Sequence, residues 1–174
     1  LGELAEGPDS YGYVKLKWTD AGELSNWMES HSLDGEPLKL PLQSPFEGEH
    51  LDLAHQQLDP GCVLLLSWWL ATPAAAALNS VTVDSTGDMR SQKTYTLTAG
   101  EENIDLNSKN LGPADVTLVA AWLQRPEVSA VVTSINCLAN QFGEDDLATL
   151  LTAIEGTSVR TLCGLAEGQT TADF

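Results

Sequence analysis

Residues 104–154 read IDLNSKNLGPADVTLVAAWLQRPEVSAVVTSINCLANQFGEDDLATLLTAI. Within them, the short apolar alternations at 104–106 and 135–137 are each followed by turn-forming residues and then by apolar residues at helical spacing. Beyond Leu111, which ends the first turn, apolar residues spaced i, i+3, i+4 and i+7 share one helix face. Those residues are Val116, Val119, Ala120 and Leu123. The pattern predicts a unit made of a strand, a tight turn and a helix.

The same offsets recur elsewhere in the chain, which indicates an internal repeat. Counted from Phe142 they give Leu147, Leu150, Leu151 and Ile154, and counted from Leu58 they give Val63, Leu66, Ser67 and Leu70. A longer duplication relates residues 51–73 to residues 104–126 and pairs Trp69 with Trp122. We therefore predict that one strand–helix–strand module is used twice, with strands 51–53, 104–106 and 135–137 in a single parallel sheet backed by helices.

These residues resemble leucine-rich repeats of the ribonuclease-inhibitor type, over about residues 48–165. The resemblance implies an α/β leucine-rich-repeat solenoid of short parallel strands backed by helices, which is a general scaffold for recognition. Asn140 falls in the bend after a strand, where its side chain is expected to bond to the backbone. Residues 81–103 lack a helical pattern, and a β-hairpin over residues 84–100 is predicted there instead.

The chain divides into three predicted regions: a β-hairpin region at 1–34, a Pro/Gly-rich connector at 35–50 and the repeat domain at 51–174. Residues 13–18 alternate with period two, and a turn is predicted at residues 19–22. The phrase VKLKWTD, residues 14–20, resembles a hairpin from a small SH3-like or Tudor-like barrel. Trp18 and Trp27 then have two interpretations. Either they form an aromatic groove for a peptide, such as one with a methylated lysine, or they fill the gap against the first repeat, which we favour. We expect the chain to be a piece of a longer protein.

Composition limits the classes of partner. With 25 acidic and 8 basic residues the formal net charge is −17, so the protein repels phosphate backbones, and nucleic-acid binding is not expected. The richest apolar run, residues 63–78, is shorter than a membrane span, so no transmembrane segment is predicted. Three cysteines do not make a disulfide framework, and the sequence contains no Asn-x-Ser/Thr glycosylation acceptor. These two features weakly favour an intracellular compartment, but they do not identify the localisation.

No catalytic or metal site is predicted, and no cofactor is expected. The three histidines and three cysteines form no ligand spacing, and Asp84 with Asp88 is better explained as a plain turn than as a calcium loop. Acid–base or nucleophilic chemistry needs a base beside its partner, and no such motif is present. We therefore predict a protein that is not an enzyme.

The predicted binding surface is the concave face of the sheet, where outward strand residues line up. Its residues are Asp52, Ala54, Thr82, Asp84, Asp105, Asn107, Asn136 and Leu138. Because this face is polar and acidic, its partner is expected to be a protein with a basic or polar surface. The alternative is a structural subunit packed permanently in a larger assembly, with Trp68 and the Pro/Gly connector as contacts; Trp18 and Trp27 are further possible contact aromatics.

Overall fold

A computed structural model of the chain describes residues 45–166 together with two strands nearer the N terminus. The strands are β1 Trp27–His31, β2 Pro37–Pro41, β3 His50–Asp52, β4 Ser80–Asp84, β5 Thr94–Thr98, β6 Asn103–Asp105, β7 Ser134–Asn136, β8 Thr161–Leu162 and β9 Leu165–Ala166. The helices are α1 Pro60–Leu70, α2 Pro113–Leu123, the short α3 Pro126–Ser129 and α4 Glu144–Ile154, and a 3-10 turn spans Pro73–Ala75. The described part of the chain is therefore a mixed α/β structure with small sheets.

The two central helices begin where the sequence provides a start signal. Asp59 caps α1 by accepting a hydrogen bond from the Cys62 N–H at 2.7 Å. Pro60 and Pro113 occupy the first helical positions, where the missing N–H costs nothing. The buried faces predicted for α1 and α2 are confirmed, since the eight residues predicted to form them, Ser67 included, are all buried. Helix α1 packs against α2, and α2 packs against α4.

The strands form three separate sheets. In the first, β1 pairs with β2 in antiparallel orientation. In the second, β3 and β4 are parallel and β5 lies antiparallel on the other edge of β4. In the third, β6, β7 and β8 are parallel and β9 returns antiparallel to β8. The second and third sheets contribute Val81, Ile104 and Ile135 to the same buried core as the helices.

The prediction of one parallel sheet is wrong in this respect. Strand β3 belongs to the second sheet, whereas β6 and β7 pair with each other in the third. The reason is a β-hairpin. Its returning strand, β5, lies within the predicted range 84–100, but its first strand is β4, which ends where that range begins. Strand β5 runs back along β4 and occupies the edge that the next parallel strand needs. Within the described residues no backbone ladder joins β5 to β6.

Side chains and a close backbone approach connect the hairpin to the loop after β6. The Lys93 ammonium donates to the carbonyl of Ser108 at 2.6 Å. The Gly87 N–H donates to the carbonyl of Asn110 at 3.0 Å. A Cβ at Gly87 would lie 2.5 Å from that carbonyl oxygen, so only glycine fits this contact. Besides their shared core, the two sheets are thus joined by loop contacts and, among the described strands, not by a ladder.

The predicted Pro/Gly connector at 35–50 includes regular structure. Strand β2 lies within it, with Pro37 and Pro41 at its two ends, where a missing N–H disturbs a ladder least. The strand predicted for residues 14–18 lies outside the described residues.

Asn140 bonds to the backbone of its bend, as expected. Its amide nitrogen donates to the carbonyls of Leu106 and Cys137, both at 2.8 Å, and its amide oxygen accepts from the Leu111 N–H at 2.9 Å. The side chain therefore joins the bend after β7 to the loop after β6.

Replacing Asn140 with alanine is expected to lower the free energy of unfolding by about 1–3 kcal/mol, because partly buried backbone groups lose their partner. Denaturant unfolding followed by circular dichroism measures the change. The matched control is Asn103→Ala, an exposed residue of β6, for which a change within about 0.5 kcal/mol is expected. Equal costs for the two variants would show that the bonds of Asn140 contribute nothing.

Candidate functional site

The outward sides of the second and third sheets each carry a row of polar residues, and we call the two sets together the polar face. Its members on the second sheet are His50, Asp52, Ser80, Thr82, Thr96 and Thr98. Its members on the third sheet are Asn103, Asp105, Ser134, Asn136 and Thr161. All are exposed or half-buried, and they alternate with buried apolar residues because successive strand side chains point to opposite sides.

Strand register places the predicted residues next to one another on this face. Asp52 lies opposite Thr82, and Asp105 lies opposite Asn136. The Thr82 and Thr96 hydroxyls are 2.9 Å apart, and the Asn136 amide donates to Asp105 Oδ1 at 3.1 Å. These cross-strand bonds fix the positions of the side chains before any ligand arrives.

A second set of bonds orients the acidic and amide groups. Oδ1 of Asp52 accepts from the Ala54 N–H at 2.9 Å, and Oδ1 of Asp105 accepts from the Asn107 N–H at 3.0 Å. The same two-residue turn recurs at Asn136, at 3.3 Å. In the part of the chain that the structure describes, the Oδ2 atoms of Asp52 and Asp105 accept no bond. Each aspartate is exposed and keeps one carboxylate oxygen without a hydrogen-bond partner among the described residues.

Of the remaining predicted face residues, three lie beyond strand ends and Asp84 is the last residue of β4. Asn107 and Leu138 are exposed and Ala54 is half-buried. Asp84 corrects the prediction, because it is only 4% exposed. Its carboxylate accepts from the His55 N–H and from the Thr94 hydroxyl, both at 2.6 Å. Asp84 therefore holds the hairpin to the turn after β3 and is not available to a partner.

Sequence reasoning missed Thr96, the row of His50, Ser80 and Thr98 in the second sheet, and the row of Asn103, Ser134 and Thr161 in the third. The alternation of threonines in TYTLT, residues 94–98, could have predicted that Thr94, Thr96 and Thr98 share one side of the strand, since every second residue of a strand faces the same way. The alternation does not predict the register that sets Thr96 opposite Thr82.

An apolar groove of about 1000 Å³ lies at the C-terminal end of the fold, and we call it the terminal groove. It is lined mainly by Leu138, Phe142, Leu147, Leu151, Leu162 and Cys163. The sequence predicted a buried face on α4, and only part of that face is covered. Leu150 is 2% exposed, but Leu147 is 39% and Leu151 is 46% exposed. The reason is that no element among the described residues packs on that side of α4.

The predicted contact aromatics have different outcomes. Trp68 is 47% exposed beside the fully buried Trp69, as predicted. It lies at a shallow groove of about 460 Å³ that crosses α1, α2 and α4. Trp27 is the first residue of β1, and Trp18 lies outside the described residues.

Asp115 is a buried carboxyl with a shifted pKa, which is the environment of many catalytic acids. Its hydrogen bonds show that it has a structural role instead. Burial raises the pKa of its carboxyl, while bonds from Gly112, Thr86 and Tyr95 act in the opposite direction. Those bonds number four and come from the Gly112 and Thr86 N–H groups and from the Thr86 and Tyr95 hydroxyls, at 2.7–2.9 Å. A fully buried carboxylate with four protein donors is out of reach of a substrate.

Comparison with known proteins gives no relative: no protein-family model, curated protein or solved structure matches this chain. Among residues 45–166 and the two N-terminal strands, no group of three or more His, Cys, Asp or Glu side chains is arranged to hold a metal ion. Within the same residues, every helix is too short or too polar to cross a membrane.

Proposed function

We propose that this chain is a non-catalytic recognition module built from leucine-rich-repeat-like units, and that it binds a basic or polar protein partner through the polar face. Recurring backbone geometry supports the repeat. The residue three positions before each turn marker has a positive φ: 62° at His55, 54° at Ser108 and 56° at Ala139. Non-glycine residues rarely adopt this conformation, so its recurrence at one offset is informative. In this proposal the antiparallel β5 divides the array into two blocks.

The observation that carries the binding proposal is the orientation of Asp52 and Asp105. Each has one oxygen bonded to its own turn and one without a hydrogen-bond partner among the described residues, and both side chains are exposed beside hydroxyl and amide groups. Groups already fixed by the fold lose little conformational entropy on binding. Because the whole chain carries a net charge of −17, a partner with lysines or arginines at its contact surface is favoured over an acidic one.

Reversing both face charges, in Asp52→Lys with Asp105→Lys, is expected to weaken partner binding by about tenfold to a hundredfold, because like charges then face each other. The measurement compares the proteins that immobilised wild-type and variant chains retain from native extract, followed by titration of each retained protein. Binding to the wild type is expected to weaken as salt is raised.

The matched control is Glu144→Lys with Asp145→Lys. It changes the net charge equally but lies in the first turn of α4, outside the polar face. Its expected cost is only a loss of helix-dipole stabilisation of about 0.3–1 kcal/mol per residue. If both double variants bind every retained protein with wild-type affinity, or weaken binding equally, the polar face is not the binding surface.

A second candidate is a subunit packed permanently in a larger protein assembly. The observation that favours it is the exposure of large apolar side chains at Trp68, Leu147 and Leu151. Leu147 and Leu151 line the terminal groove together, whereas Trp68 lies at the separate shallow groove. Exposed apolar residues that share a groove mark contact surfaces more often than single scattered ones do. Native mass measurement distinguishes the two candidates, because a permanent subunit is recovered with a partner in fixed stoichiometry, whereas the recognition module exchanges its partner.

The SH3-like or Tudor-like hairpin at the N terminus stays a prediction. Its defining residues, 14–20, lie outside the described part of the chain.

A further inference from the structure

Two thiols lie side by side at the carboxyl ends of β7 and β8. Cys137 follows β7 directly, and Cys163 is the first residue of the two-residue turn between β8 and β9. Their sulfur atoms are 3.1 Å apart, and the Cys137 N–H points to Cys163 Sγ at 3.3 Å. The Cys163 N–H donates to the carbonyl of Ile135 at 2.7 Å, so the backbone of the turn is fixed against β7.

The two thiols differ in their access to solvent. Cys137 is buried, and burial together with the contact to Cys163 raises the pKa of its thiol to about 12. Cys163 is only half-buried and lines the terminal groove, so a reagent in solution reaches Cys163 first. The third cysteine, Cys62, is fully buried in α1.

We propose that Cys137 and Cys163 are a redox pair that small disulfides of the glutathione class convert to an intramolecular disulfide. The Cys163 thiolate attacks one sulfur of the small disulfide and forms a mixed disulfide, and the expelled small thiolate takes up a proton. Cys137 then gives up its proton and attacks the Cys163 sulfur, which expels the second small thiol. Two protein thiols are oxidised while one small disulfide is reduced to two thiols, so no other oxidant is needed.

The geometry requires only a small local movement. The sulfur atoms of a disulfide lie about 2.0 Å apart, so the two thiols must approach by about 1 Å. Cys163 and Gly164 have φ values of 52° and 80° and form a tight exposed turn, where rotation of one side chain supplies that movement. The bond would tie residues 161–166 to β7 and fix one wall of the terminal groove.

Peptide mapping of the wild-type protein tests this proposal without any substitution. The folded chain is incubated with excess oxidised glutathione, then denatured and alkylated, and digested with trypsin. Cleavage after Lys109 and Arg160 places Cys137 in peptide 110–160 and Cys163 in the peptide that begins at Thr161, because the Arg125–Pro126 bond resists trypsin. We expect these two peptides to be joined, with the loss of two hydrogens, and Cys62 to be alkylated.

Single substitutions supply the controls. Cys137→Ser and Cys163→Ser should each abolish the linked pair, and Cys62→Ala should retain it. Three results would overturn the proposal: both peptides recovered in alkylated form, glutathione retained on Cys163, or a linkage that includes Cys62.

Discussion

Asp115→Ala is expected to lower the free energy of unfolding by about 3–5 kcal/mol, since two buried backbone N–H groups lose their acceptor at about 1–3 kcal/mol each. The substitution also removes the acceptor of the Thr86 and Tyr95 hydroxyls. Thr86 and Tyr95 belong to the hairpin, whereas Gly112 precedes α2. One carboxylate therefore fastens the hairpin to the helix, at the junction where no strand ladder joins the two sheets. Chemical denaturation at neutral pH measures the loss.

Asp115→Asn is the informative companion because it keeps the shape of the side chain. Its amide oxygen can still accept from Gly112 and Thr86, and its amide nitrogen can donate to the Tyr95 hydroxyl in place of accepting from it. Burial raises the pKa of Tyr95 well above its usual value, so that hydroxyl stays neutral. We expect Asp115→Asn to cost less than half as much as Asp115→Ala. Equal costs would mean that the charge, and not the bonding pattern, holds the hairpin.

Comparison of the wild type with Asp115→Asn also gives a pH test. Burial raises the pKa of Asp115 in the folded state above its unfolded value. Such a group contributes stability below the unfolded pKa, and that contribution is lost as pH rises through the folded pKa. Relative to Asp115→Asn, the wild type should therefore lose stability as pH rises from about 3 to 7, a range that starts below the usual aspartate pKa. A relative gain over that range would contradict the direction of the shift.

Local periodicity was enough to predict α1 and α2 and the buried sides of both helices. Val63, Leu66, Val116 and Val119 are buried because apolar residues at helical spacing must face whatever core exists. The hairpin over residues 84–100 was predicted for a related reason, since β-branched and aromatic residues bounded by turns favour strands. The bond of Asn140 to the carbonyl of Cys137 also followed from its place in a bend, whereas its bonds to Leu106 and Leu111, in another loop, did not.

What the sequence did not predict depends on partners distant along the chain. Leu147 and Leu151 have the same spacing as the buried residues of α2, but burial requires a neighbour, and spacing does not reveal whether one is present. From the sequence, Asp84 is expected at the surface, because nothing local predicts its hydrogen bonds with His55 and Thr94. The division into two sheets likewise depends on which edge of β4 the returning strand occupies, and alternation alone does not specify an edge.

Trp122→Ala is expected to cost about 3–5 kcal/mol, the usual range for removing a buried aromatic ring. Trp122 is fully buried, and the guanidinium of Arg125 lies 4.5 Å from the centre of its ring. Arg125 is itself buried and donates to the carbonyl of Leu78 at 2.7 Å, after the 3-10 turn. Loss of the ring therefore leaves a cavity beneath a charged group that joins α2 to the segment before β4.

Trp122→Phe separates the ring from its polar atom. The indole N–H of Trp122 is buried and has no hydrogen-bond partner in the described structure, so removing it takes away an unsatisfied donor. The smaller ring still supports Arg125, and we expect less than half the cost of Trp122→Ala. Trp68→Ala is the matched control, because Trp68 is half exposed and its loss should cost less than about 1 kcal/mol. If Trp122→Phe proved as costly as Trp122→Ala, the size of the indole, and not an aromatic surface beneath Arg125, would be what this part of the core requires.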